Sequence, residues 1–177
     1  MIRRLLPLLL LATLSGCGYS ATRLLPAEYQ VIYIAPVNNK IPVTQEVNER
    51  TPFQTNLPGL AEDTTQGLIT QFLFDGNLRV TTEPGKGDLQ LFVELTDFYR
   101  QPLRRQDGDL IEEYRLNLGG NVWVIDRKGE KLWEETGLIG DTTYFTQGSL
   151  ATAESAALDD LIKDFSRRVV ERVIEDW

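Results

Sequence analysis

Two stretches of alternating side chains, Asp88–Tyr99 and Leu110–Ile125, constrain this chain more than any other feature. In the first, Leu89, Leu91, Val93 and Leu95 fall on one side, and Phe92, Glu94, Thr96 and Phe98 on the other. In the second, Tyr114, Leu116, Leu118, Val122 and Val124 share a side. A period of two marks a strand, because successive side chains point to opposite faces. Asp107-Gly108 between the stretches suits a hairpin turn. Gly119-Gly120 inside the second predicts a bulge or the close approach of another backbone.

An apolar sheet face must be covered. Gly59–Gly76 predicts a first helix, with Glu62 and Asp63 in its opening turn and a glycine stop. Leu60, Leu68, Ile69, Phe72 and Leu73 form its apolar face. Ser149–Trp177 predicts a second helix, with a stripe of Leu158, Leu161, Ile162, Phe165, Val169, Val173 and Ile174. Further strands are expected at Tyr29–Val37, Leu78–Thr81 and Lys131–Phe145, with turns at 82–88 and 126–130. Asn38–Pro58 reads as a long loop. The expected class is α+β, with two helices packed on one face of a small, mostly antiparallel β-sheet. The Leu89 and Leu116 sets should face the helices.

The start of the chain has a different character. Arg3 and Arg4 precede an apolar run, Leu5 to Leu14, and small residues lead to Cys17, the only cysteine. This is the order of a secretory signal peptide. At about 1.5 Å per helical residue the run reaches roughly half a bilayer core, too short for a permanent span. The expected organisation is a leader over 1–16, a tether over 17–28 and one domain over 29–177.

Several chemistries are disfavoured. The chain has no histidine, hence neither the commonest general base nor the commonest metal ligand. One cysteine allows no disulfide within the chain and no thiolate cage. Without the leader, 16 basic side chains face 26 acidic ones. Such a field repels a phosphate backbone, so nucleic acid is not an expected partner. "EPGKGD" lacks the spacing and the Ser or Thr of a phosphate-binding loop. No cofactor is expected.

The junction Leu14-Ser-Gly-Cys17 resembles the lipobox of bacterial lipoproteins, which implies a diacylglycerol on the Cys17 sulfur. Gly18 follows where many inner-membrane lipoproteins have aspartate, which points to the outer membrane, periplasmic face. "CGYS", "VIYIAPVNNK" (31–40), "PGLAEDTTQGLITQFLFDGNLRV" (58–80), "DLQLFVELTDFYRQPL" (88–103), "EEYRLNLGGNVWVIDRKGEKLWEE" (112–135) and "YFTQGS" (144–149) together resemble the LptE family of lipopolysaccharide-assembly lipoproteins. The resemblance implies two helices on a small sheet, a place inside the LptD β-barrel of the outer membrane as plug and assembly factor, delivery of lipopolysaccharide to the cell surface, and no catalysed reaction.

Two groups of residues could serve such a role. Phe92, Glu94, Phe98, Arg115, Asn117, Asn121 and Trp123, with Trp133 nearby, make a mixed face on the sheet side away from the helices; tryptophan and arginine are enriched at interface centres. Arg100, Arg104 and Arg105 cluster near one turn, and guanidinium forks suit lipid phosphate. They equally suit pairing with Asp107, Asp109, Glu112 or Glu113. The candidate contacts are therefore Arg100, Arg104, Arg105, Arg115 and Trp123, with Cys17 as the lipid attachment. The alternatives are a lipoprotein chaperone or pilot for another outer-membrane machine, and a glycan-cleaving enzyme built on Glu94, Asp97, Glu112, Glu113, Glu134 and Glu135.

Overall fold

In the computed structural model, residues 25–42, 57–105 and 110–175 are described. Cys17, most of the tether, the Asp107-Gly108 turn and positions 43–56 of the long loop lie outside them.

Among the described residues six strands form one sheet: β1 (Val31–Ile34), β2 (Asn38–Asn39), β3 (Arg79–Thr81), β4 (Leu89–Arg105), β5 (Ile111–Asp126) and β6 (Lys131–Phe145). The helices among the described residues are α1 (Leu60–Asp75), between β2 and β3, and α2 (Glu154–Glu175), after β6. The strand order is β3-β1-β4-β5-β6, with β2 beside β4. The long β4–β5 and β5–β6 ladders are antiparallel, as expected from their short turns. The β1–β3, β1–β4 and β2–β4 pairings are parallel, which corrects the mostly antiparallel expectation to a mixed sheet. The reason is connectivity. A parallel neighbour needs a long crossover, and the segment containing α1 supplies it between β1 and β3.

The expected strand 29–37 is shortened to Val31–Ile34. Ala35 still donates to the Leu91 carbonyl at 3.0 Å, but Pro36 has no N–H to continue the ladder. Asn38 and Asn39 then rejoin the sheet opposite Glu94 and Leu95, so the start of the expected loop is strand.

Both helices pack on one face and share one core with it. Leu89, Leu91, Val93, Leu95, Leu116, Leu118, Val122 and Val124 are buried there beneath Leu68, Phe72, Leu161, Phe165 and Val169. α1 keeps its predicted limits. Gly76 sits at φ 76°, a left-handed conformation that glycine adopts freely, and donates to the Phe72 carbonyl at 3.1 Å. Its buried stripe runs Leu60, Thr64, Leu68 and Phe72. Leu73 lies about 100° round from Phe72 and is 63% exposed, so it is a rim residue rather than part of the apolar face.

The second helix starts later than expected, at Glu154. Thr152 N–H donates to the Phe145 carbonyl at 3.0 Å and Ala151 bridges to Phe145, so this stretch doubles back beside the end of β6 before helix begins. α2 lies very close to the sheet. A Cβ placed on Gly140 would fall 2.7 Å from the Phe165 Cα, and one on Gly120 would fall 3.1 Å from the Phe165 ring. The Gly119-Gly120 signal is thus met by a helix side chain seated on the strand.

Candidate interaction surfaces

The sheet face turned away from the helices carries an aromatic pair. Phe92 and Trp123 are direct cross-strand partners, and their rings stack at 5.5 Å with 8° between planes. The pairing follows from alternation: Leu91 and Val93 point into the core, as do Val122 and Val124, so the residues between them point out. Ala35, Pro36, Val37 and Asn38 border the pair and leave a shallow hollow of about 360 Å³. Asn38 donates from Nδ2 to Glu94 Oε1 at 3.4 Å. Asn121 Oδ1 accepts the Gly137 N–H at 3.0 Å and fixes a bulge in β6.

Three residues placed on this face by sequence do not serve it as exposed contacts. The β4–β5 register shifts between Leu95 and Asp97, opposite Gly120 and Gly119, so Thr96 is the extra residue of a bulge. One extra residue reverses the alternation beyond it, and Phe98 turns into the core at 4% exposure. Trp133 stands opposite the core residue Val124 and packs with the core. Asn117 keeps the expected side but is 6% exposed, and its Nδ2 has no hydrogen-bond partner among the described residues.

The candidate arginines do not form one site. The bulge also turns Arg100 to the helix side. It donates to Glu154 Oε2 at 3.0 Å and to the Tyr144 hydroxyl at 3.4 Å, and lies 4.6 Å over the Tyr114 ring. Tyr114 in turn stacks on Tyr144 at 5.7 Å. Burial, which Arg100 only partly offsets, pushes the Tyr144 phenol above its ordinary value. Arg100 thus ties β4 and β6 to the first turn of α2.

Beyond Arg100 the β4–β5 hairpin continues as an arm, with residues 101–105 exposed. Arg104 and Arg105 lie on it. Arg104 Nε is 4.0 Å from Glu113 Oε2, a loose contact between an exposed guanidinium and a half-buried carboxylate. Arg115 stands at the arm's base, its Nε 3.8 Å from Asp141 Oδ2. Eight residues of β5 separate Arg115 from Trp123, roughly 27 Å at the rise of a strand. The molecule therefore offers two surfaces, an aromatic patch and an arm that carries Arg104 and Arg105.

Sequence reasoning missed the polar link between α2 and the edge strand. Asp164 accepts the Asp141 backbone N–H at 3.0 Å, Arg167 at 2.6 Å and Arg168 at 2.7 Å, while Arg168 also reaches Asp141 Oδ1 at 2.9 Å. Burial raises the Asp164 pKa, but these donors outweigh it and hold the carboxyl below its ordinary value. The spacing of Asp164 to Arg167 and Arg168 was a visible helical signal; the reach to Asp141 was not.

The carboxylates of the enzyme alternative lie dispersed, and three of the six pair with cations among the described residues. Glu134 bonds Lys131 at 2.7 Å, Glu135 lies 3.3 Å from Arg172, and Glu113 faces Arg104. Among the described residues no group of acidic side chains could hold a metal ion, and no helix is long and apolar enough to cross a membrane.

Comparison with known proteins gives the lineage. Among solved structures the chain is similar to protein XCC0632 of Xanthomonas campestris, at 13% identity and a TM-score of 0.53, over 82% of this chain and 83% of that one. It is also similar to the hypothetical protein CT253 of Chlamydia trachomatis, at 12% identity and a TM-score of 0.50, over 82% and 95%. At such identity the likeness is one of fold. No curated protein sequence matches it. The family model for lipopolysaccharide assembly, LptE, matches residues 29–174, a span that takes in every described strand, α1, all but the last residue of α2, the aromatic patch and the arm. The chain belongs to the LptE family of lipopolysaccharide-assembly proteins.

Proposed function

We propose that this protein is an outer-membrane lipoprotein, acylated at Cys17 and facing the periplasm, that partners an LptD-type β-barrel and takes part in moving lipopolysaccharide to the cell surface. It works by binding, without catalysis. The observation that carries the reading is the family match over 29–174, on a chain whose opening resembles a lipobox.

The molecule has surfaces suited to that work. A barrel lumen is polar and mixed in charge. The face carrying Phe92, Trp123, Glu94 and Asn38 combines flat aromatic area with hydrogen-bonding groups, the composition of a non-obligate interface core and its rim. The arm presents Arg104 and Arg105, cations able to meet the phosphates of a lipopolysaccharide or acidic positions on a barrel wall.

Depletion of the protein in its native cell tests the reading. Surface lipopolysaccharide should fall while other outer-membrane assemblies persist. Normal surface lipopolysaccharide with the failure of another assembly would instead favour a pilot for a different machine.

A further inference from the structure

α1 ends in two large apolar side chains that the fold leaves in solvent. Leu73 is 63% exposed and Phe74 is 84% exposed. They lie at the end of the molecule where the tether enters. Arg79 N–H donates to the Gln30 carbonyl at 2.9 Å where β3 meets β1. Phe74 is five residues before Arg79, and Leu25, buried in the core, is five before Gln30. Asp88 accepts the Gln30 and Val31 N–H groups at 3.0 and 2.9 Å and pairs with Arg127 at 2.8 Å, which brings the β5–β6 turn to the same end.

We infer that Leu73 and Phe74 form an apolar tip that inserts into the bilayer surface and sets the orientation of the domain. This rests on the proposed acylation of Cys17. Cys17 lies eight residues before Leu25, so even a fully extended tether keeps this end within about 28 Å of the anchor. An apolar tip held there meets the headgroup–acyl boundary again and again, and burial in that boundary removes its surface from water.

The reach of the tether, and not the shape of the tip, selects lipid. Neighbouring helix positions diverge by about 100°: Phe74 follows Gly67, Thr70 and Gln71 along an open hollow against α2, bordered by Asp159, Lys163 and Arg167, while Leu73 lies outside it. Acyl chains are fluid and need no complementary surface. Arg79 and Lys128 share this end with Asp75, Glu28, Asp126 and Glu130, so no net positive charge draws it to lipid and the apolar side chains carry the contact. The arm is at the far end, by the start of α2.

The test uses the full-length, acylated protein in vesicles of phosphatidylethanolamine and phosphatidylglycerol. An environment-sensitive fluorophore is placed by Phe74→Cys, separately by Leu73→Cys, and as a control by Leu150→Cys, which is exposed beside the Phe145–Ala151 bridge. Intact mass establishes the state of Cys17 in each sample. With Cys17 acylated, a quencher on the acyl chains should dim the probes at 73 and 74 several-fold more than the probe at 150. Equal, weak quenching at all three positions on acylated, vesicle-bound protein overturns the inference and leaves the lipoprotein reading standing. Shielding at 74 that needs a co-reconstituted barrel protein marks a protein interface and overturns it too. An unmodified Cys17 removes the lipoprotein reading and the inference with it.

Discussion

Phe92 and Trp123 stack ring on ring, 5.5 Å apart, across the β4–β5 ladder on the face that the helices leave open. Such a pair supports the sheet by about 0.5–1.5 kcal/mol beyond its buried area. An interface anchor of this kind is worth about 2 kcal/mol or more when truncated. Trp123→Ala should therefore lower stability by about 1 kcal/mol in urea unfolding, yet reduce recovery of a barrel partner by about tenfold or more. Undiminished recovery would remove this patch from the interface.

The two kinds of arginine should separate cleanly. Arg104→Ala/Arg105→Ala on the arm should leave the melting temperature within about 1 °C, as surface substitutions do, while weakening lipopolysaccharide binding. Arg100→Ala should lower the melting temperature, because it removes the donor to Glu154 and Tyr144 and the cation over Tyr114. Calorimetry and a lipopolysaccharide titration on both variants check this. Unchanged binding by the double variant would reduce the arm to a solvated hairpin.

Gly140 is set by the approach of α2. A methyl group there meets the Phe165 Cα at 2.7 Å, and a backbone atom cannot swing aside as a side-chain tip can. Gly140→Ala should destabilise by about 1–3 kcal/mol, the cost of overpacking a filled core. Gly129→Ala is a useful contrast: nothing lies within 4 Å of its position, and its cost should come only from the positive φ of 85°. Urea midpoints of both variants decide the point; a Gly140→Ala protein as stable as wild type would contradict the packing described.

Asp164 predicts a pH dependence of defined sign. Its carboxyl is held below the ordinary 3.8 by Arg167, the Asp141 N–H and Arg168, against the opposing effect of burial. A depressed folded-state pKa contributes stability that is present above the unfolded value and is lost as pH falls through the folded one. The stability gap between wild type and Asp164→Asn should thus be full at neutral pH and narrow below about pH 4. A gap that stays constant down to pH 2 would mean that the carboxylate charge is not what holds α2 to β6.

Much of the fold was legible because it rests on local pattern. The alternation around Leu91 and Val122 placed β4 and β5 and named their core side, and Gly59 and Gly76 bounded α1 to the residue. What pattern could not supply was any change of phase. Thr96 is unremarkable in sequence, yet as an inserted residue it sends Phe98 and Arg100 to the other face, and so divides a cluster of arginines that looked like one feature. The parallel pairings of β1 were hidden for a related reason: they depend on where the α1 crossover returns the chain, which no window of residues records. Leu73 was assigned to the core because its spacing allowed it; the narrower stripe of Leu60, Thr64, Leu68 and Phe72 already satisfied the contact.

The central claim is that this protein works by holding a β-barrel at the outer membrane. Purification of the full-length protein from its native outer membrane in mild detergent tests it most directly. The account predicts that a single heat-modifiable barrel protein of LptD type co-purifies in near-equal amount, and that the yield drops with Trp123→Ala. Reproducible isolation of the acylated protein without any barrel partner would contradict it.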